Sequence, residues 1–508
     1  LPFIGEAVCR RLPFSHAGEV AEPGYYAVTL DGGRIRAEMT STERTAFHRY
    51  VYRAAPARLL VDLQHGLTSR REFVATHVLS NVCAFAADNR TILGTSTVRK
   101  DWPEHTFSFA IRFDRPYRTR TALPSAPGEK GPRFVLDFDL EPGGTLGVKV
   151  ALSMTSPERA LANMDAEIPD WDFDRVRAGS AAAWEDILSR IEVTASESDR
   201  VKFYTAIYHA CLQPNDISDV GEPPRYSTMS IWDTFRAAHP LYTILVPERV
   251  PGMVDSMLAQ GRATGYLPIW SLWGHENQCM IATHSIPVIV DWFLKKGVVG
   301  SRSRTMEVEN SIVGLGPAAT TKYWESAFQQ IRDTLTRTHD GRYKEDWPLL
   351  DEYGYYPFDK IGGESVSRTL ECSYDDWCAG KMAERLGLED DAQFFFRRAA
   401  NWTNVIDRTL GVARGRDSLG RWRTPFDPNA YGHGARSGND FTEGNAWQYT
   451  WHVLQDVEGL IAALGGREKF VERLDAFFFA PDDAAATAKQ RNVNGFIGRY
   501  PHGNEPCH

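Results

Sequence analysis

The sequence predicts a multidomain β + α protein, with an N-terminal antiparallel β-sandwich followed by a larger all-α domain. Three observations carry this. The chain has 508 residues, more than one hydrophobic core usually organises, so two domains are the default. Its first part alternates polar and apolar side chains between Gly, Pro and Asp turns, which is the period of strands. From Phe173 onward apolar residues recur at helical spacing instead.

Residues 24–30 read as a strand running into the turn Asp31-Gly32-Gly33, after which 34–39 alternate again. Further strands are expected at 58–63, 91–98, 106–113, 134–140 and 146–153. Short strands with such turns suit an antiparallel sandwich, assigned to residues 1–165. The character changes near Pro169, and 166–508 form the second domain. Helices are expected at 174–190, 199–212, 250–262, 280–296, 365–386, 390–408, 446–464 and 468–478. Gly221-Glu222-Pro223-Pro224 and Gly362-Gly363 punctuate them. At least eight helices without a short repeat fit an α/α barrel rather than an open solenoid.

Bulk properties narrow the function classes. Acidic and basic residues are interspersed around a net charge of −9, unlike the clustered basic face of a nucleic-acid binder. No apolar run reaches the ~18 residues of a membrane span. Seven cysteines, an odd number, are not a complete disulfide framework. Cys372 and Cys378 match no zinc spacing. The chain opens at Leu1 without Met, as a fragment or processed product would. Its 14 Trp serve equally as core or as flat platforms at a site.

Polar and aromatic residues concentrate in four connecting segments of the helical part. In the first, residues 226–240, Asp233 and Arg236 follow Trp232. They are three apart, so on a helix they share a face and could grip vicinal hydroxyls; an intrahelical salt bridge is the other reading. In the second, 270–280, Glu276 at a helix start is by the usual explanation a dipole partner, while His275, Trp270 and Trp273 beside it favour a sugar contact. His284, in the helix that follows, reads as a satisfied core histidine. In the third, 439–451, Glu443 sits where a loop turns into an aromatic-rich helix. Aromatic walls desolvate a carboxyl group, which favours its neutral form and suits a general acid; a helix N-terminal acid is the other reading. In the fourth, 500–508, Asn504 and Glu505 follow His502 on a Gly/Pro-constrained loop. Their hard oxygen donors suit Ca²⁺ better than Zn²⁺; plain turn chemistry of His502-Gly503-Asn504-Glu505 is the other reading.

Taken together these segments resemble glycoside hydrolase family 92, mostly exo-acting α-mannosidases. The matching stretches run in order along nearly the whole chain. They are Phe14-Ser15-His16 with residues 19–26, Ser230-Ile231-Trp232-Asp233-Thr234-Phe235-Arg236-Ala237, residues 364–371 with Tyr374-Asp375-Asp376-Trp377, Glu443-Gly444-Asn445-Ala446-Trp447-Gln448-Tyr449, and His502-Gly503-Asn504-Glu505-Pro506. The resemblance implies a β-sandwich joined to an (α/α)6 barrel and an inverting, calcium-dependent mechanism. Inverting glycosidases place an acid and a base ~6.5–9.5 Å apart.

By motif Glu443 is the acid, and Asn504 and Glu505 belong to the calcium segment. In the family the ion also binds O2 and O3 of mannose, pulling the ring toward the flattened oxocarbenium shape. Trp232, Asp233, Arg236, Glu276 and His502 match segments around the terminal sugar's pocket. The Asp-containing motif that supplies the base is expected beyond His508. The implied substrate is a terminal, non-reducing α-mannoside of a mannan or N-glycan, met by a secreted or periplasmic enzyme. Two other readings stay open at this point: a family branch cleaving mannosyl phosphodiesters, and a non-catalytic mannoside-binding protein. A phosphate leaving group needs less protonation, so the presence of Glu443 favours ordinary glycosides.

Overall fold

A computed structural model describes residues 1–6, 11–64, 78–98, 104–125, 130–296, 317–339, 345–432, 439–480 and 496–501. The chain forms two compact units. One consists of Leu1–Tyr208, Pro214–Ser227 and Trp273–His275, the other of His209–Gln213, Thr228–Leu272 and Glu276–His508. The expected order, an antiparallel β domain and then a helical one, is the observed one.

The first unit holds twelve longer strands among its described residues: β1 (Pro2–Ile4), β2 (Val20–Glu22), β3 (Tyr25–Leu30), β4 (Ile35–Ser41), β5 (Thr45–Tyr52), β6 (Ala57–Asp62), β7 (Val78–Phe85), β8 (Thr91–Val98), β9 (His105–Phe113), β10 (Thr119–Leu123), β11 (Arg133–Phe138) and β12 (Gly144–Ser153). They make a four-stranded sheet in the order β1-β6-β11-β10 and an eight-stranded sheet in the order β2-β3-β4-β5-β12-β9-β8-β7. The turn between β3 and β4 carries Gly32 at φ 62° and Gly33 at φ 93°, backbone angles open to glycine at little cost.

Alternation sends the side chains of the large sheet into two different cores. Val28 and Leu30 of β3, Tyr50 and Tyr52 of β5, and Phe109, Ile111 and Phe113 of β9 pack with Leu59, Val61, Phe134 and Leu136 of the small sheet. Tyr25, Ala27 and Phe47 point the other way, onto Phe173 and Val176 of the helix Phe173–Leu188. Ala110 and Ala151 likewise meet Ala160 and Met164 of the helix Pro157–Glu167. With both faces covered, the strands carry apolar residues on both sides, which blurs the alternation that marks a half-exposed sheet. This explains why β5 escapes a pattern search.

In the helical unit the longest helix among the described residues, Ser365–Leu386, is buried on nearly every side, the signature of a central element. It ends as expected at Gly387, left-handed at φ 75°, whose N–H caps the carbonyls of Ala383 and Glu384. Three expected helices differ. The one at 280–296 begins only at Ser285, because Gln278, Met280 and Ala282 all have positive φ. The one at 390–408 stops at Ala399 and continues as a 3-10 turn. The one at 446–464 divides into Ala446–Tyr449 and Val457–Ala463. Asp456 starts the second piece by accepting from the Gly459 N–H at 2.9 Å, a new N-cap inside an apolar pattern.

Candidate active site

The loop before Ala446–Tyr449 is pinned from both sides. Asn445 forms a capping box with Gln448: its side chain accepts from the Gln448 N–H at 3.2 Å, and the Gln448 side chain accepts from the Asn445 N–H at 3.0 Å. Gly444 exchanges two backbone hydrogen bonds with Gly432, of 2.7 and 3.2 Å. On the other side, the Thr442 N–H donates to Ser367 Oγ at 2.9 Å and its hydroxyl to Glu364 Oε1 at 3.0 Å. Glu443, between these anchors, sits at φ 45°. A left-handed backbone costs a non-glycine residue roughly 1–2 kcal/mol, and such strain persists where neighbours over-determine it, most often at working sites.

Glu443 lines a cleft of about 490 Å³ whose wall also includes Trp232, Arg236, Tyr449, Trp451, His452, Phe477 and Tyr500. Three of the expected residues, Trp232, Arg236 and Glu443, are thus brought together. Trp232 lies on the single turn Ile231–Thr234, and Arg236 follows two residues later. The Arg236 side chain does not turn to Asp233. Nη2 stands 3.8 Å from the Glu371 carboxylate, and Nη1 donates to His452 Nδ1 at 3.2 Å.

Asp233 and Glu276 are both buried and are not among the described residues of the cleft wall. Asp233 accepts from the Ser230 hydroxyl, which itself accepts from Trp270 Nε1 at 2.7 Å. Glu276 accepts the backbone N–H groups of Ile269 at 2.6 Å and Trp270 at 3.2 Å, along with that of Gln278. Burial pushes its carboxyl up to about 7 against the pull of those amides. Its immediate work is to fold the loop that carries Trp270. His502, Asn504 and Glu505 lie outside the described residues.

Behind the cleft stands a polar cluster drawn partly from the matched stretches, to which the sequence reading gave no role. Glu371 is fully enclosed and accepts from Trp232 Nε1 at 2.6 Å, from the Tyr449 hydroxyl at 2.9 Å and from His284 Nε2 at 3.0 Å. His284 Nδ1 meets Asp375 Oδ1 at 2.7 Å, and Asp375 Oδ2 accepts the Thr283 N–H at 2.8 Å. Both ring nitrogens of His284 are therefore bonded, as expected of a core histidine. Although burial opposes its charged form, Asp375 and Glu371 outweigh it and raise the imidazole to about 9. Donor atoms of His284, Glu371 and His452 lie within 4.8 Å of one another. Two imidazoles and one carboxylate suit a transition metal rather than Ca²⁺, and the charged His284 and Arg236 already stand against the Glu371 carboxylate. The spacing of Glu371 and Asp375, four apart on one helix face, was the sequence signal for the cluster.

Comparison with known proteins places the chain. The sequence model of the glycosyl hydrolase family 92 N-terminal domain matches residues 3–153, and that of the family's catalytic domain matches 159–508. A family GH92 α-mannosidase from Bacteroides thetaiotaomicron is 32% identical with a TM-score of 0.80, over 98% of this chain and 65% of that one. Its complex with mannoimidazole gives a TM-score of 0.81. A family GH92 inverting mannosidase from Bacteroides thetaiotaomicron VPI-5482 is 26% identical with a TM-score of 0.82, over 100% of this chain and 68% of that one. A secreted glycosidase of Arthroderma benhamiae is 27% identical over 512 residues, covering 90% of this chain and 60% of the relative. The chain thus spans 65% of the first mannosidase and 60% of the fungal glycosidase. With both of the family's domains matched in order along its length, the chain belongs to glycosyl hydrolase family 92.

Proposed function

We propose that this chain is the greater part of a secreted, calcium-dependent exo-α-mannosidase that hydrolyses terminal, non-reducing α-mannosides of mannans or N-glycans with inversion. The observation that carries the reading is Glu443, held in a strained left-handed backbone in the wall of a cleft with Trp232 and Arg236. The mannosidases named above, one of them solved with mannoimidazole and another an inverting mannosidase, support the substrate class and the stereochemistry. The secreted fungal relative supports the location. Among the described residues no helix is long and apolar enough to cross a membrane.

In this reading Glu443 delivers a proton to the departing glycosidic oxygen, and the aromatic wall excludes competing water. Arg236 and Trp232 orient the terminal sugar, with Asp233 and Glu276 holding the surrounding loops and His502 completing the pocket. Asn504 and Glu505 supply the calcium ligands. Their amide and carboxylate oxygens have the hardness Ca²⁺ prefers, which the imidazole-bearing cluster at Glu371 lacks. The bound ion supplies a Lewis-acid contact for the sugar hydroxyls. The base that activates water is assigned to none of these residues.

The test is turnover of α-linked mannobioses by the full-length protein, with calcium, with zinc and with chelator, following the first-formed anomer by proton NMR. The reading expects β-mannose first, loss of turnover on chelation, and recovery with calcium better than with zinc. Full activity in protein assayed free of metal overturns the calcium assignment, and α-mannose as the first product overturns inversion.

A further inference from the structure

The acid and the sugar contacts leave the buried cluster behind the cleft without a task. Of the four groups directed at Glu371 among the described residues, three belong to the cleft wall: Trp232, Tyr449 and Arg236. The fourth, His284, faces away and is gripped by Asp375. Glu371 is thus the point at which three wall side chains are tied to the central helix Ser365–Leu386. We infer that Glu371 is a positioning residue, which fixes the Arg236 guanidinium with Trp232 and Tyr449 against the sugar, and that the His284–Asp375 pair locks Glu371 in turn.

The chemistry of the donors supports this arrangement. A guanidinium only donates, so the nitrogen of His452 facing Arg236 must accept, and His452 carries its proton on Nε2. That ring is neutral, because burial and then the nearby Arg236 charge lower it to about 3. Positive charge on the cleft side of Glu371 therefore comes from Arg236. The order Asp375, His284, Glu371, Arg236 alternates in sign and sums to zero, which is the condition for holding charges out of water. Arg236 keeps 32% of its side-chain surface open while Glu371 keeps none, so the guanidinium is anchored at one edge and free to meet a ligand at the other. A long side chain held this way gives up its rotamer freedom before the sugar arrives. Glu371 touches no substrate in this scheme and acts through Arg236.

This inference rests on the cleft being the sugar site, and a double-mutant cycle separates the two claims. Full-length wild type, Arg236→Ala, Glu371→Gln and the double variant are compared for affinity toward a mannose-mimicking inhibitor such as mannoimidazole, for kcat and KM on a mannobiose, and for thermal unfolding. Losing one charge-assisted contact costs about 10–100-fold in affinity, so Arg236→Ala is expected to weaken the inhibitor by that factor. Glu371→Gln alone should lose most of the same factor, and the double variant should be no worse than Arg236→Ala. KM and inhibitor affinity should move together, with kcat changed less, since the sugar is held in ground and transition states alike. Losses that multiply in the double variant overturn the positioning role. Unchanged affinity in Arg236→Ala overturns the placement of the sugar, and the positioning role with it. Glu371→Asp keeps the charge and provides the same cycle if the glutamine variant does not fold.

Discussion

Asp375 and Asp376 are neighbours on one helix and both are sealed from solvent, yet each faces a different cation in a different part of the helical unit. Asp376 receives a bidentate grip from Arg398, through Nε at 2.8 Å and Nη2 at 2.6 Å. Arg398 also donates to the Leu335 carbonyl at 2.8 Å and lies over the Trp347 ring. Those partners are scaffold, and the cation cannot be deprotonated. Asp375 instead faces His284, a cation that titrates, and the chain of contacts continues through Glu371 to Arg236 and the cleft. One cluster holds the helices together, while the other couples them to a site. Burial alone does not distinguish the two, but the nature of the cation and the end of the chain do.

The largest expected effect tests that contrast directly. Removing either carboxylate strands a buried charge, which costs about 3–5 kcal/mol. Asp376→Ala and Asp375→Ala should therefore lower the unfolding midpoint by similar amounts. At a temperature where both remain folded, only Asp375→Ala should weaken inhibitor binding. Equal loss of affinity in both variants breaks the comparison.

A smaller effect follows from pH. His284 has a folded-state value of about 9, above the ~6.5 of an unfolded histidine. Its charge therefore contributes stability that is fully present below pH ~6.5 and is lost as pH rises through about 9, by an amount of order 1–3 kcal/mol. Urea unfolding at pH 6.5 and 9.5 should show this loss in the wild type and much less of it in His284→Gln. The Asp376–Arg398 pair adds nothing to it, because Arg398 stays charged throughout. An identical pH slope in wild type and variant removes the titrating cation from the account.

The two halves of the chain were legible to different degrees, for physical reasons. β8 and the helix Ser365–Leu386 have the expected bounds, because turns and glycine caps close them locally. β5 was missed because its buried residues serve two cores, and the division of 446–464 was missed because one aspartate cap outweighs a continuous apolar pattern. At the site, Trp232, Arg236 and Glu443 were visible as residues in compact motifs, and the fold brings them to one cleft. The expected partnership of Asp233 with Arg236 did not appear, since the single helical turn leaves Arg236 free to reach Glu371. Glu371 shares a helix face with Asp375, a local hint of the cluster, but its ties to the cleft were hidden by distance in the chain. Its partners His284 and Tyr449 are 87 and 78 residues away, and no local spacing encodes a contact of that range.

Glu443 as the acid is probed most directly by the leaving-group dependence of Glu443→Gln in the full-length protein. Proton donation contributes about 10²–10⁴-fold when the departing oxygen is a poor leaving group. A mannobiose should therefore lose turnover by such a factor, while an aryl mannoside with a good leaving group should lose far less. The glutamine preserves the size of the side chain, and the Asn445–Gln448 capping box that fixes the loop remains in place. Equal losses for the two substrates would contradict the assignment and leave Glu443 a residue that shapes the cleft without protonating anything in it.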